Sequence, residues 1–290
     1  MKISLLSERH LKYPLPFSII FVLLSYELLT SGCSARSAGD DAAGGPWCPA
    51  QCDCFNYYET VDCSRRGLLQ LPDLSNVTRR LYLEGNLLEE LPADILAGAV
   101  NLSVLILENN RLIALETDAF CGLDRLQELD ASNNQIRSLA IEAAPPPPTT
   151  GSPGDGGGES RWVCRAVGLK ELNLAHNRLR SIPAYLSDFA PALEILNLGY
   201  NEIASATLDA SYAAMTSLRY LDLSRNNIRR VFTRDLDAVR RVPLETLNLA
   251  DCGLVHVDET AFRGFDNLTS LTLARSLVNQ SALERLFAGF

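Results

Sequence analysis

The stretch LSVLILENNRL at residues 102–112 returns as LRYLDLSRNNI at residues 218–228. Both place leucine or isoleucine at the first, fourth, sixth and eleventh positions and asparagine at the ninth, and equally complete copies start at Leu169 and Leu193. Weaker copies raise the number to eight, with ninth-position residues Asn86, Asn110, Asn134, Asn177, Asn201, Asn226, Cys252 and Ser276, in steps of 24, 24, 43, 24, 25, 26 and 24 residues. A unit this short cannot bury its own apolar residues, whereas stacked units share one continuous core in which each coil touches its neighbours. The spacing therefore predicts an α/β-type solenoid. Positions three to eight of each coil form a strand of a concave parallel sheet, and the chain returns through a convex side of irregular and short-helical segments. The ninth-position amide, with two donors and an acceptor, satisfies backbone groups that the inward turn would otherwise bury unpaired. Cys252 takes that place in the seventh coil as a structural thiol with weaker hydrogen bonding.

A chain of 290 residues would ordinarily divide into about two domains, but a solenoid lengthens by adding coils, so one elongated domain is expected. Residues 1–33 read as a secretory signal: Lys2, Arg9 and Lys12 precede the apolar run Phe17–Leu29, followed by Ser31 and Gly32. Residues 34–47 would be a linker. Without the leader the chain carries 23 basic and 33 acidic side chains, a net charge of −10. Such a balance argues against nucleic acid and anionic membranes as direct partners and leaves a basic protein partner open. Four sequons, at Asn76, Asn101, Asn267 and Asn279, fit passage through the secretory pathway and glycosylation.

Cys48, Cys52, Cys54 and Cys63 form C-x3-C-x-C-x8-C just ahead of the first coil. Sequence alone permits three pairings, or a zinc site; an oxidising compartment favours disulfides. Cys121 and Cys164 each lie five residues before the start of a coil, Leu126 and Leu169, and so share one column of adjacent coils. Neighbouring coils are about 4.8 Å apart near the sheet, within the span a disulfide needs, so these two are expected to be bonded. Their bond would staple the base of the extra residues in the 43-residue step, where a proline- and glycine-rich insertion runs over about 145–163.

Side chains at positions three, five, seven and eight point out of the concave sheet. Among them Glu84, Glu108, Glu128, Asp130 and Glu171 make an acidic stripe over the first four coils, with Tyr82, Val104 and Ile106 supplying apolar area beside it. Charge next to exposed apolar and aromatic groups is what protein interfaces use. Tyr200 and Tyr220, on neighbouring coils, are a candidate stacked anchor pair. Asp or Asn at position five (Asp130, Asn173, Asn197, Asp222, Asn248) reads equally as solvated scaffold. Past the leader there are two histidines, His176 and His256, and no G-x-S-x-G, H-E-x-x-H or phosphate-binding glycine loop. No enzyme, cofactor, metal or small-molecule substrate is expected.

The period, the pattern and the cysteine cluster together resemble the capped ectodomains of extracellular leucine-rich repeat proteins, over residues 48–290. The resemblance implies a right-handed horseshoe, a disulfide-bonded cap at 48–76 pairing Cys48 with Cys54 and Cys52 with Cys63, and eight repeats over 77–290. It also implies recognition of an extracellular or cell-surface protein on the concave face, with cell adhesion or receptor signalling as the outcome. A secreted matrix protein and an innate immune receptor are the alternatives. Families of this kind normally close with a second cysteine cap, so a chain stopping at Phe290 is expected to be carboxy-terminally incomplete, with Leu283, Leu286, Phe287 and Phe290 left at an open edge.

Overall fold

The computed structural model describes residues 2–4, 46–92, 95–141 and 164–275. Most of the leader, the proline-rich insertion, Ser276, Asn279 and the closing apolar residues lie outside that set. Within it the chain is a solenoid whose coils each contribute one three-residue strand to a single sheet. Strands Arg80–Tyr82, Val104–Ile106, Glu128–Asp130, Glu171–Asn173, Ile195–Asn197, Tyr220–Asp222, Thr246–Asn248 and Ser270–Thr272 pair in parallel, each with the next. The register puts the fourth-position leucines side by side, Leu81 against Leu105 and so on to Leu247 against Leu271. These eight leucines are at most 1% exposed, which identifies the period of the sequence with the core of the molecule. Each contributes roughly 1.5–3 kcal/mol of hydrophobic stabilisation. Leu129 pairs with Leu172 in the same register as every other step, so the 43-residue interval leaves the sheet uninterrupted.

The strands are shorter than the six residues expected and cover positions three to five only. Two features end them. In six places the position-five Asp or Asn side chain accepts from the backbone N–H two residues on, as Asp62 does from Ser64, Asp130 from Ser132 and Asn173 from Ala175. Position eight is then left-handed in every repeat: Gly85, Asn109, Asn133, His176, Tyr200, Arg225, Asp251 and Arg275 all have φ between 52° and 70°. Inter-coil hydrogen bonds nevertheless continue past the strand, as from Leu83 N to Ile106 O and from Gly85 N to Glu108 O.

The ninth-position asparagines form a buried ladder. Asn110 donates through Nδ2 to Leu83 O of the preceding coil and Leu107 O of its own, while its Oδ1 accepts from Leu88 N. Asn134, Asn177, Asn201 and Asn226 repeat the arrangement. Cys252 continues it, its thiol donating to Leu223 O at 3.1 Å. Burial pushes that thiol up to about 11, as suits a structural group and not a nucleophile.

The convex side carries a short α-helix, Leu186–Phe189, and 3₁₀ turns at Thr117–Phe120, Ala210–Ala214 and Thr233–Val239. Phe120, Phe189, Tyr212 and Phe262 fill the core beneath them. At the amino-terminal edge an antiparallel hairpin, Asp53–Phe55 with Thr60–Asp62, lies beside Arg80–Tyr82 and covers the first coil with the fully buried Val61. Disulfides Cys48–Cys54 and Cys52–Cys63 hold it, with Cα separations of 5.9 and 4.4 Å. A third joins Cys121 to Cys164, Cα to Cα 4.8 Å, across one coil step. At the far edge Lys2–Ser4, from the stretch read as a leader, runs parallel to Ser270–Thr272. Among the described residues no helix is long and apolar enough to cross a membrane.

Candidate recognition surface

Two rows of side chains dominate the concave face. In the sheet, Glu128 and Glu171 stand directly beside one another on adjacent parallel strands. Both are half-buried, and among the described residues neither meets a cation. Burial, then the charges of Glu171 and Asp130, pushes the Glu128 carboxyl above its ordinary range. Burial followed by Glu194 does the same to Glu171. Glu108, raised by burial and by Asp130 and Glu84, accepts from the amides of Asn109 and Asn133 without a full counter-charge. Like charges opposed on neighbouring strands destabilise a sheet, so this arrangement works against the fold. Glu84 differs, because Arg65 pairs with it at 2.8 Å. Tyr82 and Ile106 lie half-buried in register beside each other at the edge of this patch.

Asp130 is part of the scaffold. It is 9% exposed; one oxygen accepts from the backbone N–H and hydroxyl of Ser132, the other from Asn173 Nδ2. Asn248 donates to Asp222 in the same way. The position-five row is thus a half-buried Asx ladder and not a solvated one. A signal for it was present in the sequence: where position five is Asp or Asn, position seven is small (Ser132, Ala175, Gly199, Ser224, Ala250), leaving room for the side chain to fold back. Where position five is Tyr82 or Ile106, position seven is Glu84 or Glu108.

Tyr200 and Tyr220 do not stack. Tyr220 is at position three and Tyr200 at position eight, so they face opposite ends of the strand row, roughly 15 Å apart along it. Tyr220 donates to Asp222 Oδ2 at 3.2 Å, and burial followed by the Asp222 charge raises its phenol far above its ordinary value. Tyr200 instead belongs to the left-handed column at the rim. The His176 ring stacks on it at 3.8 Å, and the Arg225 guanidinium covers its other face at 4.6 Å from the centroid. Arg225 also meets Asp251 at 3.3 Å. Burial and the Arg225 charge hold the His176 imidazole below its ordinary range.

Of the acceptor asparagines, Asn76 and Asn267 are exposed and Asn101 is partly exposed. Asn101 donates to Asn76 O at 2.8 Å and accepts from Arg125, which places these two sequons on the same side of adjacent coils, away from the concave strands.

The leucine rich repeat family model matches residues 77–136 and 167–228. Trophoblast glycoprotein of Macaca fascicularis is 28% identical over 252 residues, spanning 78% of this chain and 49% of that protein. The chain therefore spans about half the length of that relative. Fibromodulin of Oryctolagus cuniculus is 31% identical over 115 residues, 40% of this chain and 74% of that sequence. A solved leucine-rich repeat protein of Leptospira interrogans superposes with a TM-score of 0.54 at 22% identity, over 73% of this chain and 47% of that one, a likeness of fold. With its repeats stacked on one asparagine ladder and its first coil closed by two disulfides, the chain belongs to the extracellular leucine-rich repeat proteins.

Proposed function

We propose that the chain is the protein-binding ectodomain of a cell-surface adhesion protein or receptor, and that it takes a basic partner on the acidic patch of the second to fourth coils. The observation that carries this reading is the Glu128–Glu171 pair: two half-buried carboxylates in register, without a cation among the described residues. A partner's lysine or arginine would supply the missing charge and gain most where water is already partly excluded. Tyr82 and Ile106 add the apolar area that such a contact needs. The glycans expected on Asn76 and Asn101 would stand clear of this face. The role is recognition, without catalysis or cofactor. Kinship with fibromodulin supports a second reading, a secreted matrix protein using the same face.

The test is to screen the secreted, tagged ectodomain against an array of extracellular domains, and then to repeat every positive with Glu128→Gln/Glu171→Gln. Loss of a positive by about tenfold or more, with affinity falling as salt rises, is the expected result. Positives that persist unchanged in the double variant would remove the acidic patch from the function.

A further inference from the structure

The rim of the concave face has the opposite character from its centre. His176, Tyr200 and Arg225, from three successive coils, form a stack with the phenol ring between the imidazole and the guanidinium, so its edge and hydroxyl are what it offers to solvent. Arg225 and Arg275 share one carboxylate, Asp251, at 3.3 and 3.5 Å, so one of these two positive charges is uncompensated. Arg178 lies beside the stack and lines with it a shallow depression of about 620 Å³, open to solvent. Arg178 also borders an adjoining cleft of about 150 Å³ with Arg137, Arg180 and Glu202. Of these, Arg180 pairs with Glu202 at 3.3 Å, whereas the side chains of Arg137 and Arg178 are exposed and have no acidic partner among the described residues. In a chain of net charge −9, this concentration of unpaired guanidinium is not what solubility alone requires.

We propose that this rim is a binding site for sulfate groups of an extracellular sulfated glycan. A planar guanidinium fork matches a tetrahedral oxyanion through two parallel hydrogen bonds, which is why arginine and not lysine suits such a group. Arg137, Arg178 and Arg225 come from the third, fourth and sixth coils, so the charge is laid out along the solenoid. An extended chain of anions lying across the coils meets this layout; a compact ligand does not, because the depression is too open to enclose one. The stacked ring fixes Arg225 in place, which reduces the side-chain ordering that binding would otherwise cost. Burial first, and the Arg225 charge second, hold the His176 imidazole below its ordinary range, so an anion seated beside Arg225 acts on a group that already senses that charge.

The experiment is calorimetric titration of the secreted protein, at low salt, with a size-defined heparin octasaccharide and its desulfated counterpart. Saturable binding is expected for the sulfated sugar, lost on desulfation and weakened by about tenfold or more in Arg137→Ala/Arg178→Ala. Occupancy should also raise the His176 imidazole pKa measured by NMR, a readout that does not depend on the variants folding. Glu128→Gln/Glu171→Gln should bind the sugar as the parent does, which separates this site from the acidic patch. The proposal is overturned by unaltered binding in the double arginine variant, by an unmoved His176, or by equally tight binding of a single-stranded nucleic acid of matched charge.

Discussion

The thiol of Cys252 donates to the carbonyl of Leu223 at 3.1 Å, in the place where Asn226 of the preceding coil donates to Leu198 at 2.9 Å. Asn226 also donates to Leu223 and accepts from Ile203 N, three interactions where a thiol is a weak donor. Cys252→Asn should therefore extend the ladder and stabilise the protein by about 1–2 kcal/mol, seen as a higher urea midpoint. An unchanged or lower midpoint would mean the pocket is already shaped around sulfur.

Thr78 occupies the first position of its coil, where the other seven repeats have leucine. It is fully buried and its hydroxyl has no hydrogen-bond partner. It is also the third residue of the Asn76 sequon. Thr78→Val should remove the glycan-dependent mobility shift of one site and raise the stability of the deglycosylated protein by about 1–2 kcal/mol. Loss of stability in calorimetry would show that the hydroxyl is satisfied in solution.

The Cys121–Cys164 bond closes a loop with a sequence separation of 43 residues. In the chain-entropy account such a loop is worth about 4 kcal/mol. Replacing both cysteines by alanine should lower the guanidinium midpoint accordingly and expose the base of the insertion to proteolysis. In protein expressed from residue 34 onward with its cysteines unaltered, denaturation should release one reactive thiol, Cys252; three would mean the bond is open.

The folded Glu128 carboxyl lies above its ordinary range, so the native state holds its proton more tightly than the unfolded chain. Its contribution to stability is present at acid pH and is lost as pH rises through the folded value. Glu128→Gln should therefore melt higher than the parent near pH 7 and match it near about pH 3, where both are uncharged. A constant difference across that range would assign the effect to packing instead of charge.

Much of the fold was legible because a repeat makes the problem one-dimensional. The position-four and position-six leucines, the asparagine ladder with its cysteine substitute, and the Cys121–Cys164 column all follow from counting residues within the coil. The acidic patch was legible in the same way, since Glu128 and Glu171 share position three. Strand length was not, because it depends on backbone dihedrals: the left-handed turn at position eight is occupied by His176, Tyr200, Arg225 and Arg275 as well as by asparagine and glycine, so residue type does not announce it.

Side-chain partnerships on the face were the other thing that counting could not supply. Tyr200 and Tyr220 are neighbours by coil but not by column, and the ring that Tyr200 meets is His176, 24 residues earlier at the same position. Asp130 belongs by charge to the acidic stripe, yet hydrogen bonds to Ser132 and Asn173 make it scaffold. Periodicity dictates which residues share a column, since burying leucine every coil leaves a single stacking register. Which side chains within and between columns touch is settled by turn geometry and by competition for hydrogen bonds. Those exist only once neighbouring coils are in contact.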